Sequence, residues 1–269
     1  MDKRPIGVFD SGLGGLTVVR EIKKLLPDES LIYFGDDGRT PYGTKSRETV
    51  IKYTRQDIAF LLSMDVKLVV VACNTASALA LNDVIGYIDV PVLEVIEPGA
   101  RSALKRTKQG RIGIIGTPAT IESGVYSKAI YERNHKVKTF SRACPLFVNL
   151  VEEGWWDNDI TRMIAVKYLR ELKDENIDTL VLGCTHYPLL ADTIRRVMGE
   201  EVVLVSSAEE LAIALKGLLQ EKNLLTDNKV RQHRYYTSDS VEKFKELGSL
   251  ILGEEIQNVK RVDLDTYQR

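Results

Sequence analysis

Short runs rich in Val, Ile and Leu recur along this chain, each bounded by turn residues and separated from the next by a segment of helical periodicity. The runs fall at 5–9 (PIGVF), 31–34 (LIYF), 67–71 (KLVVV), 91–95 (PVLEV), 111–115 (RIGII), 137–140 (VKTF), 179–182 (TLVL) and 202–205 (VVLV). Helical segments lie between them, among them 47–64, 98–107 and 159–174. A strand that is apolar on both sides is buried on both faces, and an intervening helix returns the chain to begin a parallel neighbour. The alternation therefore predicts an α/β fold of mostly parallel sheets flanked by helices.

The same pattern is repeated. PIGVFDSGLGGLTVV (5–19) matches RIGIIGTPATIESGV (111–125) as strand, turn and helix, and KLVVVACNTASALAL (67–81) matches TLVLGCTHYPLLADT (179–193). From Ile6 to Cys73 is 67 residues, and from Ile112 to Cys184 is 72. Equal order at nearly equal spacing predicts two similar, pseudo-symmetric domains with a cleft between them. PVLEVIEPG (91–99), with two prolines, reads as the crossover into the second half. The helix 208–221, the polar stretch 222–233 and the strand-like HRYYT (233–237) read as a return to the first. The expected division is 1–97 with 208–269, and 98–207.

Charge and cysteine content narrow the function. Against 38 acidic residues stand 37 basic ones, so no basic footprint for nucleic acid or a membrane surface is evident. The opening MDKRPIGVFDSG has no apolar stretch of signal-peptide length, and no apolar run is long enough to span a bilayer. Three cysteines, at 73, 144 and 184, with no CxxC pair, fit neither a disulfide framework nor a structural zinc site. These features predict a protein of the reducing cytoplasm that binds no metal.

Parallel α/β sheets bind ligands beyond the carboxyl ends of their strands. Cys73 and Cys184 each stand there, at the start of a helix whose N–H groups favour an anion and lower a thiol pKa. A lone cysteine after a buried strand is usually a small core residue. Two in repeated settings, followed by Asn-Thr and Thr, point instead to chemistry: a base on one face of a carbon acid and an acid on the other. Cys144, in SRACPLF, has no counterpart and reads as structural. In DSGLGG (10–15) the glycines allow close backbone approach, and Asp10 and Ser11 are placed either to cap a helix or to touch a ligand. PYG (41–43) is a turn whose Gly43 N–H can receive a carboxylate. His186 can tune Cys184, while His135 and His233 read as surface residues. Glu152 and Glu153 are equal candidates for a buried acid, with solvent exposure the default for both. No lysine occupies a matching strand end, so no pyridoxal cofactor is expected. A Cys184–His186 hydrolase and a non-catalytic two-lobed amino-acid-binding protein are the rival readings.

Five stretches in order, GVFDSGLGGLTVV, the PYG loop, VVVACNTAS, GTPATIES and LVLGCTHYPLL, resemble the glutamate racemase family over roughly residues 5 to 210. ACNTAS with GCTHYP discriminates best, because related aspartate and hydantoin racemases tend to carry Glu after the second Cys-Thr, where this chain has His186. The resemblance implies cofactor-independent interconversion of L- and D-glutamate for peptidoglycan synthesis, with Cys73 and Cys184 as the two acid/base residues. It implies that Asp10 assists Cys73 and that His186, with Glu152, assists Cys184. Substrate contacts implied are Asp10, Ser11, Tyr42, Gly43, Asn74, Thr75, Thr117, Thr120, Thr185 and His186. It also implies a homodimer. Family members activated by a cell-wall precursor carry an N-terminal extension absent here, so that regulation is not expected. Turnover of a related amino acid such as aspartate is the alternative within the superfamily.

Overall fold

A computed structural model describes residues 2–227 and 231–267, so Met1, Lys229 with its two neighbours in the polar stretch 222–233, and residues 268–269 lie outside it. The first part of the chain runs β1 (Ile6–Asp10), α1 (Leu16–Leu25), β2 (Leu31–Gly35), α2 (Arg47–Ser63), β3 (Leu68–Val71), α3 (Asn74–Leu79), α4 (Leu81–Val84) and β4 (Val92–Glu94). Next come α5 (Ile96–Arg106), β5 (Arg111–Gly116), α6 (Pro118–Glu122), α7 (Val125–Arg133), β6 (Lys138–Ala143), α8 (Leu146–Glu152) and α9 (Asp159–Asp174). β7 (Thr179–Gly183), α10 (Ala191–Met198), β8 (Val203–Ser206), α11 (Ser207–Glu221), β9 (His233–Thr237), α12 (Val241–Leu252) and β10 (Val259–Arg261) complete it.

Two parallel sheets result, ordered β10-β9-β2-β1-β3-β4 and β6-β5-β7-β8. The order β2-β1-β3-β4 in one is the order β6-β5-β7-β8 in the other, so the sequence repeat is a repeat of topology. Ile6 opposes Leu31 and Leu68, and Ile112 opposes Thr139 and Thr179. The register places Cys73 and Cys184 just past the carboxyl ends of corresponding strands. β9 and β10 extend only the first sheet. Nothing in the sequence warns of β10, whose VKR is short and two-thirds charged.

Alternation along each strand divides its side chains between two cores. Val8, Val70, Ile112, Ile114 and Val181 share one core with residues of α1, α5, α7 and α11, which fill the space between the sheets. Ile32, Phe34, Val69 and Val71 face α2 in a second core, and Ile115, Leu180 and Leu182 face α9 and α10 in a third. The chain passes between sheets after β4, through α5, and after β8, through α11, and these two helices pack on each other. At the amino ends of the first sheet's strands lies a fully buried ion pair, Lys67 Nζ to Glu29 Oε2 at 2.6 Å. Lys67 also donates to the carbonyls of Asp2 (2.9 Å) and Leu224 (2.7 Å), tying down two passing segments.

Candidate active site

The inner strands β1, β3, β5 and β7 deliver Asp10, Cys73, Thr117 and Cys184 to the facing carboxyl ends of the two sheets. With the 41–43 turn and Val148 of α8, the residues that follow these strands enclose a narrow cavity of about 10 Å³, room for about one water molecule. Its lining includes Ser11, Gly43, Cys73, Asn74, Thr75, Thr117, Cys184, Thr185 and His186. The two thiols are 3% and 6% exposed, so the cavity is nearly closed to water. Gly43 is required here: a Cβ on it would sit 2.2 Å from Thr117 Cβ. Gly14 is equally constrained, because a Cβ there would meet His186 Nδ1 at 2.4 Å.

Cys73 is the N-cap of α3, its sulfur accepting the Ala76 N–H at 3.5 Å while its S–H reaches Ser11 Oγ at 3.5 Å. The helix terminus was expected to lower its pKa. Burial instead pushes the thiol up, the nearby Asp10 charge adds to the rise, and the hydrogen bonds to Ser11 and Ala76 offset only part of it. Cys73 is therefore held as the thiol. Cys184 has a different partner, His186 Nδ1 at 3.7 Å, and His186 Nε2 meets Glu152 Oε1 at 2.7 Å. Burial disfavours the imidazolium, but the hydrogen bonds and charges of Cys184 and Glu152 outweigh it and raise the His186 pKa well above its ordinary value. Burial likewise opposes ionisation of Glu152, and the bond to His186 overrides it, lowering the pKa.

Across the cavity, Thr185 Oγ1 contacts both oxygens of Asp10, at 3.2 and 3.1 Å, and the Gly15 N–H donates to Asp10 Oδ2 at 2.9 Å. Asp10 is fully buried, which raises its pKa, with His186, Gly15 and Thr185 each pulling the other way. Thr17 Oγ1 adds a bond to the Thr185 carbonyl at 3.1 Å. Thr75, Thr117 and Thr120 form a hydroxyl cluster, with Thr75 2.9 Å from Thr117 and Thr117 3.0 Å from Thr120. Thr117 also caps α6, accepting the Thr120 N–H.

Most of the residues singled out from sequence converge on this cavity, with several differences. Tyr42 lines it, but its hydroxyl is shared between Asp57, at 2.8 Å, and Asp36, both buried beneath the turn. The phenol is thus committed to the protein and only the remainder of Tyr42 faces a ligand. Thr120 stands behind Thr75 and Thr117 and not on the cavity wall. Asp10 bonds to Thr185 and Gly15, whereas Ser11 is what touches Cys73. Of the two glutamates, Glu152 turns inward, while Glu153 is exposed and pairs with Lys243 at 3.6 Å. His135 is exposed, but His233 on β9 is half-buried, and burial lowers its pKa to about 4. Cys144 is buried, its carbonyl accepting the Tyr187 hydroxyl at 2.9 Å. Sequence reasoning missed Tyr126, whose hydroxyl fixes Asn74 Oδ1 at 2.6 Å from the other half, a contact with no local sequence signal.

Paired thiols at matching strand ends, opening on one closed cavity, define an α/β isomerase acting at a carbon acid. The model of the Asp/Glu/Hydantoin racemase family matches residues 6–214, and the chain belongs to that family. A glutamate racemase of Geobacter metallireducens is 50% identical over 266 residues, covering 98% of each chain. The crystal structure of glutamate racemase isoform RacE1 from Bacillus anthracis superposes with a TM-score of 0.94 at 45% identity, over 98% of this chain and 99% of that one. The glutamate racemase of Francisella tularensis, solved with D-glutamate, superposes with a TM-score of 0.93 at 40% identity, over 99% and 100%. Among the described residues no helix is long and apolar enough to cross a membrane.

Proposed function

We propose that this protein is a glutamate racemase that inverts the α carbon of glutamate by proton transfer between two thiols. The observation that carries the reading is the pair Cys73 and Cys184 at equivalent strand ends of one cavity, each with different partners. His186 is held cationic against Glu152 beside Cys184, while burial favours Cys73 as thiol. A thiolate on one face takes the α proton and the thiol on the other face returns one; the opposite direction exchanges the roles. Asp10 assists on the Cys73 side through its charge, and His186 with Glu152 assists Cys184. The hydroxyls of Ser11, Thr75, Thr117 and Thr185, with Asn74, the backbone at Tyr42 and Gly43, and Thr120 behind them, are the polar groups for the two carboxylates. Enclosure strengthens each of these interactions and shields the carbanionic intermediate from water. Glutamate as substrate is further supported by the relatives named above, one of them holding D-glutamate.

Inversion is checked by circular dichroism with L-glutamate and no added cofactor. In heavy water, Cys73→Ser and Cys184→Ser should each abolish α-proton exchange from one enantiomer preferentially. Equal loss from both enantiomers in both variants would refute separate roles.

We also read the chain as two domains, 1–97 with 208–269 and 98–207, in line with the sheet to which each strand belongs. Ile160, Met163 and Val166, about half or more exposed at three-residue spacing on α9, are consistent with a homodimer. Three free thiols fit a cytoplasmic enzyme that supplies D-glutamate for peptidoglycan.

A further inference from the structure

Asn74, the residue after Cys73, is buried, yet the two ends of its amide are treated differently. Oδ1 accepts the Tyr126 hydroxyl at 2.6 Å, a bond that crosses from α7 in one half to α3 in the other. Nδ2 is shielded from solvent and has no hydrogen-bond partner among the described residues. Oxygen and nitrogen stand on opposite sides of a planar amide, so a fixed Oδ1 turns Nδ2 away from Tyr126. Asn74 lines the substrate cavity, and Tyr126 stands behind its wall. Buried polar atoms are normally paired, so an orphan donor on a cavity wall marks where an acceptor of the ligand belongs.

Tyr126 is itself tightly held. Its buried ring lies between two glycines, Gly99 of α5 and Gly183, the residue before Cys184. A Cβ on Gly99 would lie 3.1 Å from Cε1 and 3.2 Å from the hydroxyl oxygen, and one on Gly183 would lie 3.1 Å from Cε2. Burial raises the Tyr126 pKa and the Glu94 charge adds to the rise, with Ser207 opposing, so the phenol keeps the proton it donates. That single proton goes to Asn74 Oδ1. Exchanging the ends of the amide would forfeit this bond and present an acceptor, Oδ1, to the cavity.

We propose that Tyr126 is a positioning residue that sets the Asn74 amide so that Nδ2 donates to the carboxylate on the reacting carbon. This rests on the racemase reading, in which that carbon lies between the two thiols. Of the two carboxylates, the one bonded to that carbon comes nearer to the residue that follows Cys73. When a thiolate takes the α proton, the C–H electron pair moves onto this carboxylate, and it returns to the carbon when the other thiol gives its proton. Charge on the carboxylate therefore rises between the two transfers, and a fixed donor binds the intermediate more tightly than the ground state. An acceptor in the same place would repel it. Tyr126 does not touch substrate and acts through Asn74 alone.

The test is a double-mutant cycle in the full chain, with kcat and KM measured by circular dichroism from both enantiomers. Asn74→Ala should lower kcat/KM roughly tenfold to a hundredfold, as expected for losing a hydrogen bond to a charged group. Tyr126→Phe keeps the ring and frees the amide to turn, and should lower kcat/KM roughly three- to thirtyfold, chiefly through kcat. In the Asn74→Ala background the same substitution should change kcat/KM by less than about twofold. Gly99→Ala crowds the phenol from outside the cavity; it should show the same dependence on Asn74 at smaller size, and serves if Tyr126→Phe folds poorly. Losses that multiply in the double variant, or an unchanged kcat/KM in Tyr126→Phe, would overturn the proposal while leaving the racemase reading intact. Wild-type protein that fails to invert glutamate would overturn the racemase reading itself.

Discussion

Replacing Glu152 by Gln removes one charge from the site while keeping its shape. The Gln carbonyl still accepts the Leu13 N–H and the His186 Nε2–H, which now meet on Oε1 at 3.3 and 2.7 Å. What disappears is the anion that keeps His186 protonated. A hydrogen bond to a charged group contributes about 1.5–3 kcal/mol, against about 1 for a neutral one. The difference, at about 1.36 kcal/mol per unit, lowers the His186 pKa by roughly one unit, up to about 1.5. The sign follows from the raised wild-type value: without the anion, the imidazolium is lost at lower pH. The alkaline limb of kcat/KM should move down by that amount, and activity above it should fall about tenfold or more. Two enantiomers have equal free energies, so kcat/KM must fall by the same factor from L- and D-glutamate. Rates measured by circular dichroism between mildly acid and alkaline pH would show it. A limb that stays in place would refute the argument that Glu152 sets the charge of His186. Stability gives a second reading: His186 stabilises the fold fully below its unfolded pKa, and that contribution fades as pH rises through the raised folded value. The Glu152→Gln variant should lose it at lower pH than the wild type.

Two other substitutions probe the frame around the site. Lys67→Met leaves Glu29 buried without its cation, which should cost about 3–5 kcal/mol and lower Tm by roughly 6–20 °C, with kcat of the folded protein unchanged; a loss below about 1 kcal/mol in urea unfolding would contradict this. Gly43→Ala drives a methyl into Thr117, so the turn must retreat from the cavity, and kcat/KM should drop on the order of a hundredfold. Near-normal kinetics would mean that the turn does not position substrate.

The strands and the paired cysteines were legible because a doubly buried strand leaves an unbroken apolar run, and because the run repeats with its following residues. The helix at 159–174 was legible to the residue, since Asn158 caps it and accepts the Thr161 N–H. Side-chain direction was not. PYG locates a turn, but the Tyr42 hydroxyl answers to Asp36 and Asp57, and nothing in three residues announces them. Successive helical positions differ by about 100°, so Glu152 and Glu153 look alike in sequence, yet one is buried against His186 and the other is exposed beside Lys243. The thiol of Cys73 shows a further limit: a helix start was legible, while the burial that reverses its effect depends on the second half closing over it.

The two crossings of the chain, into α5 and α11, bear on how substrate enters. A single linker lets two bodies swivel in any direction, but two linkers lying side by side act as the pins of a door and leave one axis. Thr185 is the catch of that door, holding Asp10 from the opposite leaf. Swinging it open would break that bond and leave the Gly15 N–H as the donor on the aspartate.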